Sequence, residues 1–120
     1  MASKDELGRS GERRAEAHLR ACGYEIIDRN WRCRRGEIDL VARDRDWVVF
    51  VEVKTRSGER FGHPFEAIDV RKRRRLRAIA HEWVQVRGAA VGRRSIRIDA
   101  IAITELPGGS SRIEHLPDIS

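Results

Sequence analysis

The stretch VVFVEVKTR, Val48 to Arg56, constrains the fold more than any other part of this 120-residue chain. Its valines and phenylalanine read as a buried β-strand. The strand nevertheless ends on Glu52 and Lys54, and burying a charge is costly unless something pairs with it. The preceding stretch EIDLVAR, Glu37 to Arg43, reads as another strand, and RDRD between them is too short for anything but a hairpin.

A one-residue slip in a hairpin exchanges the two faces of a strand, so the apolar pattern sets the register. Ile38, Leu40 and Ala42 form the apolar face of the first strand, and Trp47, Val49, Val51 and Val53 that of the second. Joining both sets in a single core requires a two-residue turn at Arg45-Asp46, with Arg43 opposite Val48. The same register brings Asp39 opposite Glu52, with Lys54 and Glu37 close by. Opposed like charges destabilise a sheet, and each raises the pKa of the other. Two readings fit the spacing. Either a divalent cation lies between the carboxylates, as Mg²⁺ sits on one or two carboxylates plus waters and phosphates, or Lys54 and Arg56 neutralise the pair at a wet sheet end.

The rest of the chain frames this hairpin. Ser10–Ala21 reads as a helix stopped by Gly23, and Tyr24–Arg32 as a first strand. GERFGHP is a loop, Phe65–Val86 a long helix with Leu76, Ile79, Ala80, Trp83 and Val86 at helical spacing, and SIRIDAIAIT a fourth strand. The order is α-β-β-β-α-β around a mixed sheet. Residues 107–120 read as a C-terminal tail with room for one short edge strand at Arg112–Leu116. Asp99 within this fourth strand could orient a group on the charged face or pair with Arg97, and it reads as structural. Cys22 and Cys33 have no CxxC companion, which speaks against zinc or a disulfide framework. No apolar segment approaches the length of a membrane span and no signal peptide is evident, so a cytoplasmic protein with no membrane partner is expected.

Lys and Arg outnumber Asp and Glu by 25 to 19, which favours a polyanionic partner. RKRRRLR, Arg71 to Arg77, places six basic residues in seven positions at the start of a helix, where positive charge opposes the helix dipole. Phosphate contact by Arg71, Lys72, Arg73, Arg74 and Arg75 would offset that cost. The loop after the charged strand end either touches substrate, with Arg56 and Arg60 as the contacts, or is only a flexible connector.

Asp39, twelve residues, then Glu52-Val53-Lys54 resembles the PD-(D/E)xK signature of restriction-endonuclease-like nucleases. Together with GRSGERRAEAHL, GYEIIDRNWR, GEIDLVA, FVEVKTR, RFGHPFEAI, Lys72 and RIDAIAI, it resembles the YraN-like family of small bacterial proteins related to archaeal Holliday-junction resolvases. The resemblance runs from about Gly8 to Thr104. It implies an αβββαβ nuclease core over residues 1–106 and a metal-dependent endonuclease acting on DNA, with branched or single-strand-containing DNA preferred. Mg²⁺ or Mn²⁺ would be held by Asp39 and Glu52, with the Val53 carbonyl as a further ligand. Lys54 would act on the attacking water or the scissile phosphate. The matching helix residue is Glu12, with Glu16 one turn on as the fallback. Ile38 stands where the signature has proline. The resolvase relatives act as symmetric dimers, which leaves a homodimer open here. The alternative function is a nucleic-acid-binding module that keeps the fold without cutting.

Overall fold

The computed structural model describes residues 4–58, 64–92 and 94–119. Arg60, one of the expected phosphate contacts, lies outside the described residues. The elements are α1 (Lys4–Ala21), β1 (Glu25–Cys33), β2 (Gly36–Asp44), β3 (Trp47–Ser57), α2 (Val70–Arg87), β4 (Ser95–Glu105) and β5 (Ser111–Leu116). The αβββαβ order is the one expected, extended by β5. The strands form one sheet in the order β1-β2-β3-β4-β5. β3 and β4 run parallel and every other neighbouring pair antiparallel. A parallel pair needs a crossover, and α2 supplies it.

The hairpin has the expected register, with Arg43 opposite Val48 and Asp44 opposite Trp47. The single core expected from it divides in two. Leu40, Ala42, Val49 and Val51 pack with Ile101 and Ile103 against Ala15 and Leu19 of α1. Val41, Val48, Phe50 and Ile98 pack on the other face against Leu76, Ile79, Ala80 and Trp83 of α2. A central strand covered on both faces reads as a continuous apolar run, and β3 is buried from Val48 to Glu52. Two further expectations change accordingly. Trp47 is 37% exposed, and Ile38 lies in the α2-side core, opposite to Leu40 and Ala42.

The two helices reach the sheet by different means. Gly11 of α1 is buried, and a Cβ there would lie 1.9 Å from Thr55 Oγ1 and 3.0 Å from Thr55 Cβ, so only glycine lets the helix approach β3 this closely. The long helix expected from Phe65 begins later. Pro64–Ala67 is a separate 3-10 turn, and α2 opens after Asp69, whose carboxylate caps it by accepting from Lys72 N–H at 2.8 Å. No helix among the described residues is long and apolar enough to cross a membrane.

The C-terminal segment is tied into the sheet. β5 pairs with β4 from Glu105↔Ser111 to Ala100↔Leu116, and Ile119 N–H donates to the Ile98 carbonyl at 2.7 Å.

Candidate active site

The β2–β3 ladder runs from Asp44↔Trp47 to Leu40↔Val51 and stops there. Continued in register, it would set Ile38 opposite Val53 and Asp39 opposite Glu52. Instead Val53 N–H donates to Asp39 Oδ2 at 2.7 Å, so a side chain stands where a strand would offer its carbonyl. Residues of β2 also change sides here. Gly36 and Ile38 face α2, where a Cβ on Gly36 would lie 3.3 Å from Ile79 Cδ1. Leu40 and Ala42 face α1. Asp39 occupies the step between the two patterns, and its carboxylate enters the gap between β2 and β3. A strand residue points its N–H and C=O to the same edge, so the Val53 carbonyl faces that gap as well.

Glu52 is only 9% exposed, and its carboxyl group hydrogen-bonds that of Asp39. Burial, the Glu52 charge and this hydrogen bond push the Asp39 carboxyl up to about 8, against the opposing Val53 N–H. Glu12 of α1 adds to the same field. Burial raises its pKa, and the nearby charges of Glu37 and Glu52 raise it further, while Asn30 and Arg9 oppose them. With its amide nitrogen turned toward them, Asn30 donates to Glu12 at 2.9 Å and Glu37 at 3.2 Å. Glu16, one turn on, is engaged elsewhere. Arg29 donates to it twice, at 2.6 and 2.8 Å, and holds its pKa down. Of the two helix carboxylates, Glu12 is the one whose charge acts on the Asp39–Glu52 pair.

Lys72 is where the structure departs most from the expected grouping. The sequence places it among the phosphate contacts on the outer face of α2. In the fold its Nζ lies 2.9 Å from Glu52 Oε2. Spacing within RKRRRLR carries no signal for this. The cap at Asp69 fixes where α2 starts, but only the packing of α2 on the sheet turns its third residue inward. Lys54 is half-buried on β3, two residues beyond Glu52. Arg71, Arg73, Arg74 and Arg75 are exposed on α2, with Arg73 3.5 Å from the Ile119 carbonyl. Arg56 is half-buried on the same strand as Lys54.

Basic grooves flank the sheet, and the sequence pattern indicated none of them. One, of about 550 Å³, lies between α1 and β1 and is lined by Arg9, Glu12, Arg13, Arg29 and Asn30 among others, so Glu12 connects it to the carboxylates. Another, of about 620 Å³, lies between the β1–β2 turn and α2, lined by Arg34, Arg35, His81 and Gln85 with Glu82 opposing them.

Two buried, mutually repelling carboxylates with a carbonyl beside them are a donor set for a hard divalent cation. Among the described residues no three His, Cys, Asp or Glu side chains converge as a ready-made cation cage. A hard cation such as Mg²⁺ or Mn²⁺ takes few protein ligands and completes its shell with water and phosphate.

Residues 11–103 match the group described as Uncharacterised protein family UPF0102. The chain is 49% identical over 116 residues to a UPF0102 protein of Beutenbergia cavernae, with 97% of each chain covered. It is 50% identical over 116 residues to one of Frankia alni, covering 97% of this chain and 95% of that protein. It is 47% identical over 118 residues to one of Rhodococcus jostii, with 98% of each covered. The chain belongs to the UPF0102 family.

Proposed function

We propose that this UPF0102 protein is a divalent-metal-dependent endonuclease that hydrolyses phosphodiester bonds in DNA, with branched or single-strand-containing DNA as the preferred substrate. The observation that carries the reading is the Asp39–Glu52 pair at the point where the β2–β3 ladder ends. Two carboxyl groups brought together away from water are a liability for folding alone, and a carboxyl raised by burial and a neighbouring charge, as Asp39 is, is characteristic of functional sites. Asp39, Glu52 and the Val53 carbonyl would hold Mg²⁺ or Mn²⁺, which supplies Lewis acidity at the phosphoryl oxygens and an acidified water.

The chain's own residues do the rest. Lys54, two residues beyond Glu52 on β3, would bring its ammonium group to the negative charge that develops on the phosphoryl group during attack. Glu12 supplies a third carboxylate from α1, facing the Asp39–Glu52 pair from beside the groove. Arg71, Arg74 and Arg75 neutralise phosphates along α2, anchoring the substrate without reading its sequence.

The test is cleavage of junction, flap and linear duplex DNA with Mn²⁺. Asp39→Ala, Glu52→Ala and Lys54→Ala should each lower the rate by about a hundredfold or more. Cleavage that survives all three substitutions would sink the proposal. Neutralising Arg71, Arg74 and Arg75 together should flatten the salt dependence of DNA affinity by about 0.9 in log–log slope for each phosphate the helix no longer neutralises. An unchanged slope removes α2 from the interface.

A second reading rests on the Lys72–Glu52 ion pair, which neutralises Glu52 without any metal. It makes the protein a nucleic-acid-binding module that retains the nuclease fold. Salt-sensitive DNA binding with no cleavage under any divalent metal is its signature.

A further inference from the structure

Lys72 enters α2 at its third residue, and its backbone N–H is fixed by the Asp69 cap at 2.8 Å. The base of the side chain is therefore anchored, while its ammonium group reaches across to Glu52 Oε2 at 2.9 Å. Its neighbours in the chain, Arg71 and Arg73, are exposed on the face where phosphates would be held. Lys72 thus stands between the carboxylate site and the basic face of α2. Its Nζ lies on an oxygen that a divalent cation would need. A lysine ammonium group is a compact charge on a flexible stem and transfers readily from a carboxylate to a phosphate oxygen.

We infer that Lys72 is a displaceable cation that couples metal binding to substrate binding: it occupies Glu52 in the resting site, and a phosphate group of the substrate draws it away so that a divalent cation takes its place. The inference rests on the endonuclease reading and deepens it by making Lys72 a positioning residue rather than a surface contact. Metal binding to the protein alone then has to break an ion pair with a well-buried carboxylate. Metal binding to the nucleic-acid complex does not, because the ammonium group already has a phosphate partner. The two ligands are therefore positively cooperative, and each strengthens the other by the same factor. Without Lys72, metal gains affinity in the absence of substrate, and only the cooperativity that phosphate supplies as a metal ligand is left.

Calorimetric titration of Mn²⁺ into wild type, Lys72→Met and Lys72→Arg tests this, with and without a short duplex oligonucleotide and with Glu52→Gln as the control. Lys72→Met should bind Mn²⁺ about tenfold more tightly than wild type without DNA, the order expected for removing a part-buried ion-pair competitor. The oligonucleotide should tighten Mn²⁺ binding to wild type more than to Lys72→Met. Lys72→Arg retains the competing charge and should remain as weak as wild type or weaker. Lys72→Gln makes the same comparison if Lys72→Met does not fold. Mn²⁺ binding that is lost in Glu52→Gln but equal in wild type and Lys72→Met overturns the inference and leaves the endonuclease reading standing. No Mn²⁺ binding by any of these proteins, with or without DNA, takes down both.

Discussion

Two aspartates on this sheet, Asp39 on β2 and Asp99 on β4, are both withdrawn from water, and their surroundings drive them in opposite directions. Asp99 is fully buried. Burial alone would raise its pKa, but His115 at 2.8 Å, Arg97 at 2.9 Å and the Asp118 N–H at 2.9 Å hold it below the ordinary carboxylate range. Arg97 is in turn bound to the Tyr24 hydroxyl at 2.6 Å and lies over the rings of Tyr24 and Trp47. Asp39 has one backbone N–H and two carboxylates for neighbours, and its pKa rises to about 8. The Asp99 cluster is complete without any ligand and ties β5 and the C-terminal residues to the sheet. In the Asp39 cluster the Lys72 ammonium group pairs with Glu52, and Asp39 itself is left beside like charges. Under the proposed reading, that contrast separates a carboxylate that serves the fold from one that would take a cation.

The largest expected effect breaks the satisfied side. Asp99→Ala leaves the half-buried Arg97 without its main partner and should destabilise the protein by about 3 kcal/mol in urea denaturation. A loss below 1 kcal/mol would show that Asp99 is not an anchor.

The opposite sign is expected on the unfinished side. A carboxyl whose pKa is higher folded than unfolded binds its proton more tightly in the native state. Its contribution is therefore fully present below the unfolded value of about 4 and is lost as pH rises toward 8. Metal-free wild type should weaken across that window. Asp39→Asn can still accept from Val53 N–H but carries no charge, and should be more stable than wild type at pH 8 by on the order of 2 kcal/mol. The advantage should shrink toward pH 4, and the variant should lose Mn²⁺ binding. An Asp39→Asn protein less stable than wild type at pH 8 would place Asp39 with Asp99 as a structural group. Asp99 has the reverse linkage, since its depressed pKa stabilises above the unfolded value and is lost as pH falls through the folded one.

Glu12→Gln sharpens the comparison with the smallest effect. The Glu12 charge is the last of the causes acting on Asp39, so its removal should lower the Asp39 pKa by about half a unit or less, read by carbon-13 titration of the carboxyl resonance. No movement at all would detach α1 from the site.

The sequence by itself determined the hairpin and what the hairpin carries. The short connection and the apolar alternation left one register, and that register put Asp39 and Glu52 at the same level of the sheet. The element order and Asp99 as a structural partner of Arg97 were also legible, because each depends on neighbours within one or two turns or strands. Glu12 entered through the family resemblance, and nothing in its own neighbours singled it out. Tertiary structure decided the rest. Alternation along β2 predicted one core face, yet the structure has two, and Ile38 crosses to the second where the ladder ends. Lys72 turns inward to Glu52 across the whole β3–α2 connection, and His115 reaches Asp99 across β4 and β5. The physical reason is the same in each case. Periodicity specifies which residues share a face of an element, but which face meets which partner, and where a strand pair stops, depends on how helices on both sides pack a sheet they share.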